Sequence, residues 1–469
     1  MPTGQTIGHQ SAYLAREAID AAQPASCPRD RHAALVAARD RMMATGQWTA
    51  RQFMGRRWPI GCVALEVTQR CNLDCTACYL SENSEAVKDL PLEEVFRRID
   101  MIFRHYGPNT DVQVTGGDPT LRKRDELIEI VRRIREKGMR PTLFTNGIRA
   151  KRDLLKDLVE AGLVDVAFHV DMTQQRKGFE SEAALNAIRQ EYIERTRGLP
   201  LPVMFNTTVT NDNFDQIPDV VAFFVRNADM VRLASFQIQA DTGRGVLGRR
   251  DVALNIDSMK SQIERAAGAS LSFETAHIGH LSCNRYAMSC VVNGKVYDIL
   301  DDPQLFADVL DQTKHRYINR QNRVDAVATL ARGVLSSPTL VLRALVWLSK
   351  KAWRAKADLV LARGRVHKLS FFIHNFMDAC QLEPDRIDAC VFTAATASGP
   401  ISMCMHNTKR DVFILQPVRL ARAAGERYWD PLSGVDSERP ASSSSIEIDH
   451  RNLVKGRTKQ SKTDSAFRQ

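Results

Sequence analysis

From Cys62 to Gln239 the chain alternates short apolar runs of strand character with longer stretches whose apolar residues recur every three or four positions. The runs fall at 63–68, 111–115 (DVQVT), 141–147 (PTLFTNG), 164–171 (VDVAFHVD), 202–210 (PVMFNTTVT) and 231–239 (VRLASFQIQ). Helical spacing between them predicts helices from Pro91 to about Arg104, from about Leu121 to Lys137, over RDLLKDLVEAG up to Gly162, near 182–196 and near 215–227. Six strands alternating with helices predict a parallel sheet with right-handed crossovers, an α/β fold. Such units close a barrel at eight, so six predict an open, partial barrel whose site lies at the strands' carboxyl ends.

The flanks read differently. Residues 1–57 predict a helical lead-in, and 58–240 the partial barrel. Residues 241–430 predict an α+β C-terminal domain. It opens on a glycine and arginine loop, TGRGVLGRR (242–250), and a helix, IDSMKSQIERAAG. A hairpin then turns at Asn293-Gly294 in VVNGKVYDI. The stretch 301–370 reads as largely helical, a cysteine zone runs from Cys380 to Cys404, and DVFILQP after it is strand-like. Residues 431–469, serine-rich and then polar and basic, predict a disordered tail.

At 469 residues the chain exceeds the usual ceiling for one core, so one large domain with additions, or two domains, is expected. Its 44% hydrophobic and 26% charged residues are those of a globular protein, and 65 − 55 leaves a modest net charge of +10. No run reaches the ~18 apolar residues of a membrane span, and MPTGQTIGHQSAYLAREAID lacks the apolar core of a signal peptide. Ten cysteines in that setting predict reduced thiols and metal ligation in the cytoplasm, not a disulfide framework.

The strongest chemical signal is VALEVTQRCNLDCTACYL (63–80), where Cys71, Cys75 and Cys78 follow the first strand as CxxxCxxC. Asn72, Asp74 and Thr76 lie between them and favour a loop. Three thiolates at a strand's carboxyl end suit a soft metal centre. A four-iron cluster held by three cysteines keeps one iron open to an outside ligand. A structural zinc site wants four ligands, often as two CxxC pairs, and this triad has no fourth nearby.

With Gly116-Gly117-Asp118-Pro119 after the second strand, the triad resembles the radical S-adenosylmethionine (SAM) enzymes, over about residues 62–239, roughly 40% of the chain. The resemblance implies a partial (β/α)6 barrel and a 4Fe-4S cluster on Cys71, Cys75 and Cys78. It also implies that SAM chelates the fourth iron and is cleaved reductively to a 5′-deoxyadenosyl radical, with an electron donor such as a flavodoxin or ferredoxin. In the family's GGEP segment, backbone groups hydrogen-bond the amino group of SAM. Gly116, Gly117, Asp118 and Pro119 take those positions, with aspartate for the commoner glutamate. Ala77 stands where the family usually has an aromatic, and Tyr79 follows the third cysteine. Asn146, between Thr145 and Gly147, and Asn206, beside Thr207, lie at levels where the family touches SAM. His169 and Gln237 or Gln239 are candidates to face the interior and substrate, or are polar residues satisfied within the core.

Five cysteines lie past the sixth strand. Cys283, Cys390 and Cys404, with Cys380 or Cys290 as a fourth, are candidate ligands of an auxiliary iron–sulfur cluster; the alternative is scattered thiols packing as small hydrophobes. The layout FMDACQLEPDRIDACVF…ISMCMHN resembles a branch typified by the archaeal tetraether lipid synthases. That implies modification or coupling of lipid hydrocarbon chains at unactivated carbons. The branch's additional N-terminal metal-binding cysteines have no counterpart, since only Cys27 precedes Cys62. Many radical SAM peptide maturases also carry C-terminal auxiliary clusters, usually with tighter cysteine groups.

Residues 341–368 contain eight Lys or Arg against one acidic residue, Asp358, with Leu342, Leu345, Val346, Trp347 and Trp353 at helical spacing. Such a helix either lies at a membrane interface facing anionic lipid or packs its apolar side into a core with a solvated basic face. The expected function is therefore a SAM-cleaving enzyme acting on a lipid chain, with peripheral membrane contact. A peptide-modifying maturase is the alternative, and a zinc- or nucleic-acid-binding protein the non-enzyme one. No recognised nucleic-acid module accompanies the charge.

Overall fold

The computed structural model describes residues 13–245, 254–422 and 425–440. The expected lead-in before 13, the part of the glycine and arginine loop at 246–250 and the polar tail from 441 lie outside these residues.

Two helices, α1 (Arg16–Ala21) and α2 (Arg31–Ala44), precede β1 (Cys62–Thr68), which is buried along its whole length, as a strand of a covered parallel sheet must be. The alternation then runs α3 (Leu92–Tyr106), β2 (Asp111–Gly116), α4 (Arg124–Glu136), β3 (Arg140–Thr145), α5 (Arg152–Glu160), β4 (Asp165–His169), α6 (Glu182–Thr196), β5 (Val203–Val209), α7 (Ile217–Arg226) and β6 (Val231–Ile238). Strands β1 to β6 lie side by side in sequence order, each parallel to the next. The helices place their apolar faces on this sheet; Phe224 of α7 stacks on Phe205 of β5 with ring centroids 5.2 Å apart.

The C-terminal region adds strands to the same sheet. After α8 (Ile256–Ala267), a hairpin of β7 (Asn284–Val292) and β8 (Lys295–Asp298) turns through Asn293 and Gly294, both at positive φ. Helices α9 (Pro303–Thr313), α10 (Arg323–Leu335) and α11 (Pro338–Leu361) follow, then β9 (His367–Asn375), α12 (Pro384–Asp388), β10 (Phe392–Ala395) and β11 (Pro400–Ser402). β9 pairs in parallel with β6, and β10 in parallel with β1. The result is one 11-stranded sheet, β11-β10-β1-β2-β3-β4-β5-β6-β9-β7-β8. The C-terminal region thus pairs the backbone groups that both edges of the six-stranded unit would leave exposed. Pairing across more than 130 residues leaves no local mark in the sequence.

Two expectations change. After α13 (Met403–Thr408), DVFILQP is not a strand: it lies largely in α14 (Arg410–Ile414), whose first residue is tied to Glu66 of β1. A second sheet of β12 (Val418–Arg422), β13 (Gly425–Trp429) and β14 (Asp436–Ser437) carries folded chain past the expected tail boundary at 431. It is held there by buried Trp429 packed on Val418 and Leu420 and by Asp430, which accepts from the Leu432 and Ser433 amides at 2.7 and 2.8 Å. Among the described residues, no helix is long and apolar enough to cross a membrane.

Candidate active site

The carboxyl ends of β1, β2 and β3 meet at the cysteine loop. Thr68 donates to Asp89 at 2.6 Å, and Arg70 reaches both Asp89 and the Leu121 carbonyl, which fixes the loop's first residues. Its middle is anchored across the sheet, where the Thr76 amide donates to the Thr173 carbonyl at 2.8 Å, in the turn after β4.

Gly116 and Gly117 press directly on this segment. Gly116 has φ +132°, and a Cβ on it would run into the Thr68 carbonyl; a Cβ on Gly117 would meet the Arg70 carbonyl. Backbone contact this close explains the glycine pair physically. The Gly117 and Asp118 amides donate to the Thr68 and Arg70 carbonyls at 2.9 and 2.8 Å, and the Tyr79 hydroxyl donates to the Gly116 carbonyl at 2.6 Å.

Asp118 is fully buried and its carboxylate is occupied within the protein. One oxygen accepts from the Thr120 amide and hydroxyl, the other from the Thr145 hydroxyl and the Asn146 amide, both at 2.8 Å. The side chain therefore locks the end of β3 to the turn after β2, a duty that the shorter carboxylate fulfils. Asn146 is held so that its amide donates to Asn72 at 2.7 Å and lies 3.9 Å from Cys71 Sγ.

Removal from water pushes the Cys71 thiol up to about 11, against a hydrogen bond from the Leu73 backbone, with Asp118 and Cys78 adding to the rise. A thiol so placed ionises when a cation takes up its charge. One cation already stands on the loop. Arg244, buried in the segment after β6, has its own pKa raised: burial opposes its charge, but Cys78 and Glu85 outweigh it. Its guanidinium lies 3.1 Å from Glu85 and 3.9 Å from Asp74, and its amide donates to the Leu80 carbonyl at 2.6 Å. The sequence reading missed Arg244; the only signal was its place between two glycines in TGRG.

Asn206 and His169 sit together one side of the sheet further on. His169 Nε2 is 2.6 Å from Asp171 and 3.2 Å from the Thr208 hydroxyl, and its Nδ1 is 3.3 Å from the Asn206 amide nitrogen. Asn206 Oδ1 accepts from Ser235 at 2.8 Å. Burial would raise the Asp171 carboxyl, but His169, Thr173 and the Thr208 amide prevail and hold it below the usual range. Gln239 donates to Asp241 at 3.2 Å, so it serves the turn after β6.

The late cysteines divide. Cys283, Cys390 and Cys404 line one cavity with His374, Met377 and Arg386. Arg386 donates to Cys283 Sγ at 3.2 Å. Burial among Phe372, Phe376 and Phe392 pushes His374 down to about 3, and burial pushes Cys390 up to about 11. Cys380 is exposed, and neither it nor Cys290 lines this cavity.

Residues 65–224 match the family model described as the Radical SAM superfamily, so this segment is a radical SAM domain. The chain is 31% identical over 186 residues to the 7,8-dihydro-6-hydroxymethylpterin dimethyltransferase of Methanocaldococcus jannaschii, covering 38% of this chain and 36% of that protein. It is 29% identical over 179 residues to the PqqA peptide cyclase of Bradyrhizobium diazoefficiens, covering 37% and 46%. It is also 31% identical over 183 residues to a probable GTP 3′,8-cyclase of Pyrococcus abyssi, covering 38% and 58%. The chain thus spans from about a third to about three-fifths of these curated relatives. The crystal structure of Streptococcus suis SuiB bound to S-adenosylmethionine aligns with 43% of this chain and 47% of that one, at 16% identity and a TM-score of 0.34.

A radical SAM domain implies a 4Fe-4S cluster and SAM. The donor chemistry here fits: three thiols share one eight-residue loop, Cys71 feels the charge of Cys78, and Asn146 lies at Cys71. Among the described residues no three His, Cys, Asp or Glu side chains are gathered closely enough to hold a metal ion, so a cluster would have to draw the triad together.

Proposed function

We propose that the chain is an enzyme in which Cys71, Cys75 and Cys78 hold a 4Fe-4S cluster, while the backbone of 116–119 together with Asn146 and Asn206 binds SAM. The observation that carries this reading is the convergence of the cysteine loop, the close-packed glycine pair and Asn146 at the carboxyl ends of three neighbouring strands. When bound, the cluster and SAM supply a 5′-deoxyadenosyl radical able to abstract hydrogen from an unactivated carbon.

The protein's own part is positioning. Asp118 fixes Asn146 against the loop, and Arg244 offsets negative charge at Cys78. Arg410 of α14 meets Glu66 on the inner side of β1 and lies 4.8 Å above the Tyr79 ring, so the C-terminal helices close one side of the site to water. A flavodoxin or ferredoxin is the proposed reductant.

The test is electron paramagnetic resonance of anaerobically reconstituted, dithionite-reduced protein. SAM should shift the cluster signal, because it would occupy the open iron; an unchanged signal would contradict the assignment. Iron analysis of the same sample addresses the auxiliary centre proposed at Cys283, Cys390 and Cys404. About four irons per chain leaves the triad alone, and about eight adds a second cluster.

For substrate, we favour a lipid hydrocarbon chain, supported by the basic apolar helix α11 and by the layout of the late cysteines. The match to a PqqA peptide cyclase favours a peptide as the second reading. Lipid profiles of a strain lacking the protein, beside its parent, separate the two. A missing or shortened lipid product supports the first, and an unchanged profile overturns it.

A further inference from the structure

Helix α11 wears its apolar side outward. Leu342, Leu345, Val346, Trp353 and Val360 fall within an arc of about 100° on one face, and they are 64%, 58%, 44%, 71% and 77% exposed. The residues it buries are Leu340, Ala355 and Asp358. This inverts the usual surface helix, whose apolar stripe faces the core. The preceding helix repeats the inversion: Val324, Val327 and Leu335 of α10 are 79%, 66% and 67% exposed.

The charge around this face is one-sided. Lys350 and Lys356 on α11 are exposed, as are Arg363 and Arg365 just beyond it, while exposed Arg354 lies 3.4 Å from Asp301. Lys356 Nζ lies 3.4 Å from the centre of the Trp353 ring. The helix's one acidic residue, Asp358, is turned inward to Asn293, Tyr297 and Lys295, at 3.0, 2.5 and 3.1 Å. Two other cations act as fasteners. Arg343 pairs with Asp302 and Asp308, and Lys351 with Asp301, so the helix is latched along its inner side while the apolar stripe stays presented.

We propose that the outward face of α10 and α11 docks the protein on an anionic bilayer surface. An apolar stripe with a tryptophan, flanked by cations, matches the acyl boundary below and the phosphates above it. A second copy of the chain fits poorly, since a two-fold contact would set this row of cations against itself. The proposal deepens the lipid reading above and rests on it for purpose, although docking is measured without turnover.

The experiment is co-sedimentation of the full chain, purified anaerobically, with vesicles of phosphatidylcholine mixed with phosphatidylglycerol or of phosphatidylcholine alone. Binding is expected to the anionic vesicles and to weaken with added salt. A double variant, Leu345→Glu with Trp353→Glu, should lose roughly tenfold or more in partitioning while keeping its melting temperature and iron content, because both side chains are exposed. The Cys71→Ser variant should bind as the wild type does, so failure of the radical or lipid reading would leave this result standing. No binding to anionic vesicles, or undiminished binding by the double variant, overturns the proposal. So does a concentration-dependent dimer that the double variant dissociates, if vesicles are not bound.

Discussion

Cys71→Ser, Cys75→Ser and Cys78→Ser are each expected to abolish 5′-deoxyadenosine formation from SAM, by a factor on the order of 10³ or more. A hydroxyl is a hard, weakly acidic donor that does not replace a thiolate on iron. Two remaining cysteines would leave two irons without protein ligands, so the loss should be nearly complete and alike at all three positions. Cys27→Ser is the control: this exposed thiol lies in the lead-in, outside the cysteine loop, and its loss should leave turnover intact. Equal activity in any triad variant would remove that cysteine from the proposed ligand set.

Arg410→Met is expected to cost about 3–5 kcal/mol of stability, because it strands a buried carboxylate. Glu66 is 5% exposed and Arg410 2%. One guanidinium nitrogen of Arg410 lies 2.8 Å from both Glu66 oxygens, and Gln69 donates to the same carboxylate at 2.8 Å. Burial would raise the Glu66 carboxyl, but Arg410, then His406 and Gln69, bring it down to about 2. Its folded value thus lies below the ordinary glutamate value of about 4.3. The pair's contribution is therefore present above that value and lost as pH falls toward 2. In Arg410→Met the sign reverses: with the main opposing charge gone and only His406 and Gln69 left against it, burial prevails, the folded carboxyl rises above the unfolded one, and the deficit is greatest at neutral pH. Urea unfolding midpoints at pH 7 and near pH 4 should show the gap between variant and wild type narrowing with acid. Adding Glu66→Gln to the variant should restore part of the loss at pH 7. A deficit independent of pH would mean that Arg410 acts through packing alone.

Local pattern carried much of the molecule. The strands β1 to β6 fall within a residue or two of the apolar runs, and α6 (Glu182–Thr196) at its expected bounds, because each pattern is set by short-range geometry. The cysteine loop and the glycine pair were legible for the same reason: ligand spacing and close backbone approach are written within a few residues. Nonlocal features were not. β9 and β10 complete the sheet from more than 130 residues away, and nothing in HKLSFFIHN or FTAA names its partner strand. Arg410 stands beside the apolar DVFILQP, which reads as a strand until its bond to Glu66 places it in a helix. Asp118 reads as one position of a SAM-binding turn, and what its carboxylate does is set by distant partners, Thr145 and Asn146 beside nearby Thr120. For α11, periodicity defined two faces without telling which one the fold would cover.

The central claim, that this chain generates a substrate-activating radical from SAM, is tested most directly by wild-type protein reconstituted anaerobically with iron and sulfide and incubated with SAM and dithionite. 5′-Deoxyadenosine should appear only when both SAM and reductant are present. A protein that binds iron under these conditions and yields no 5′-deoxyadenosine would contradict it.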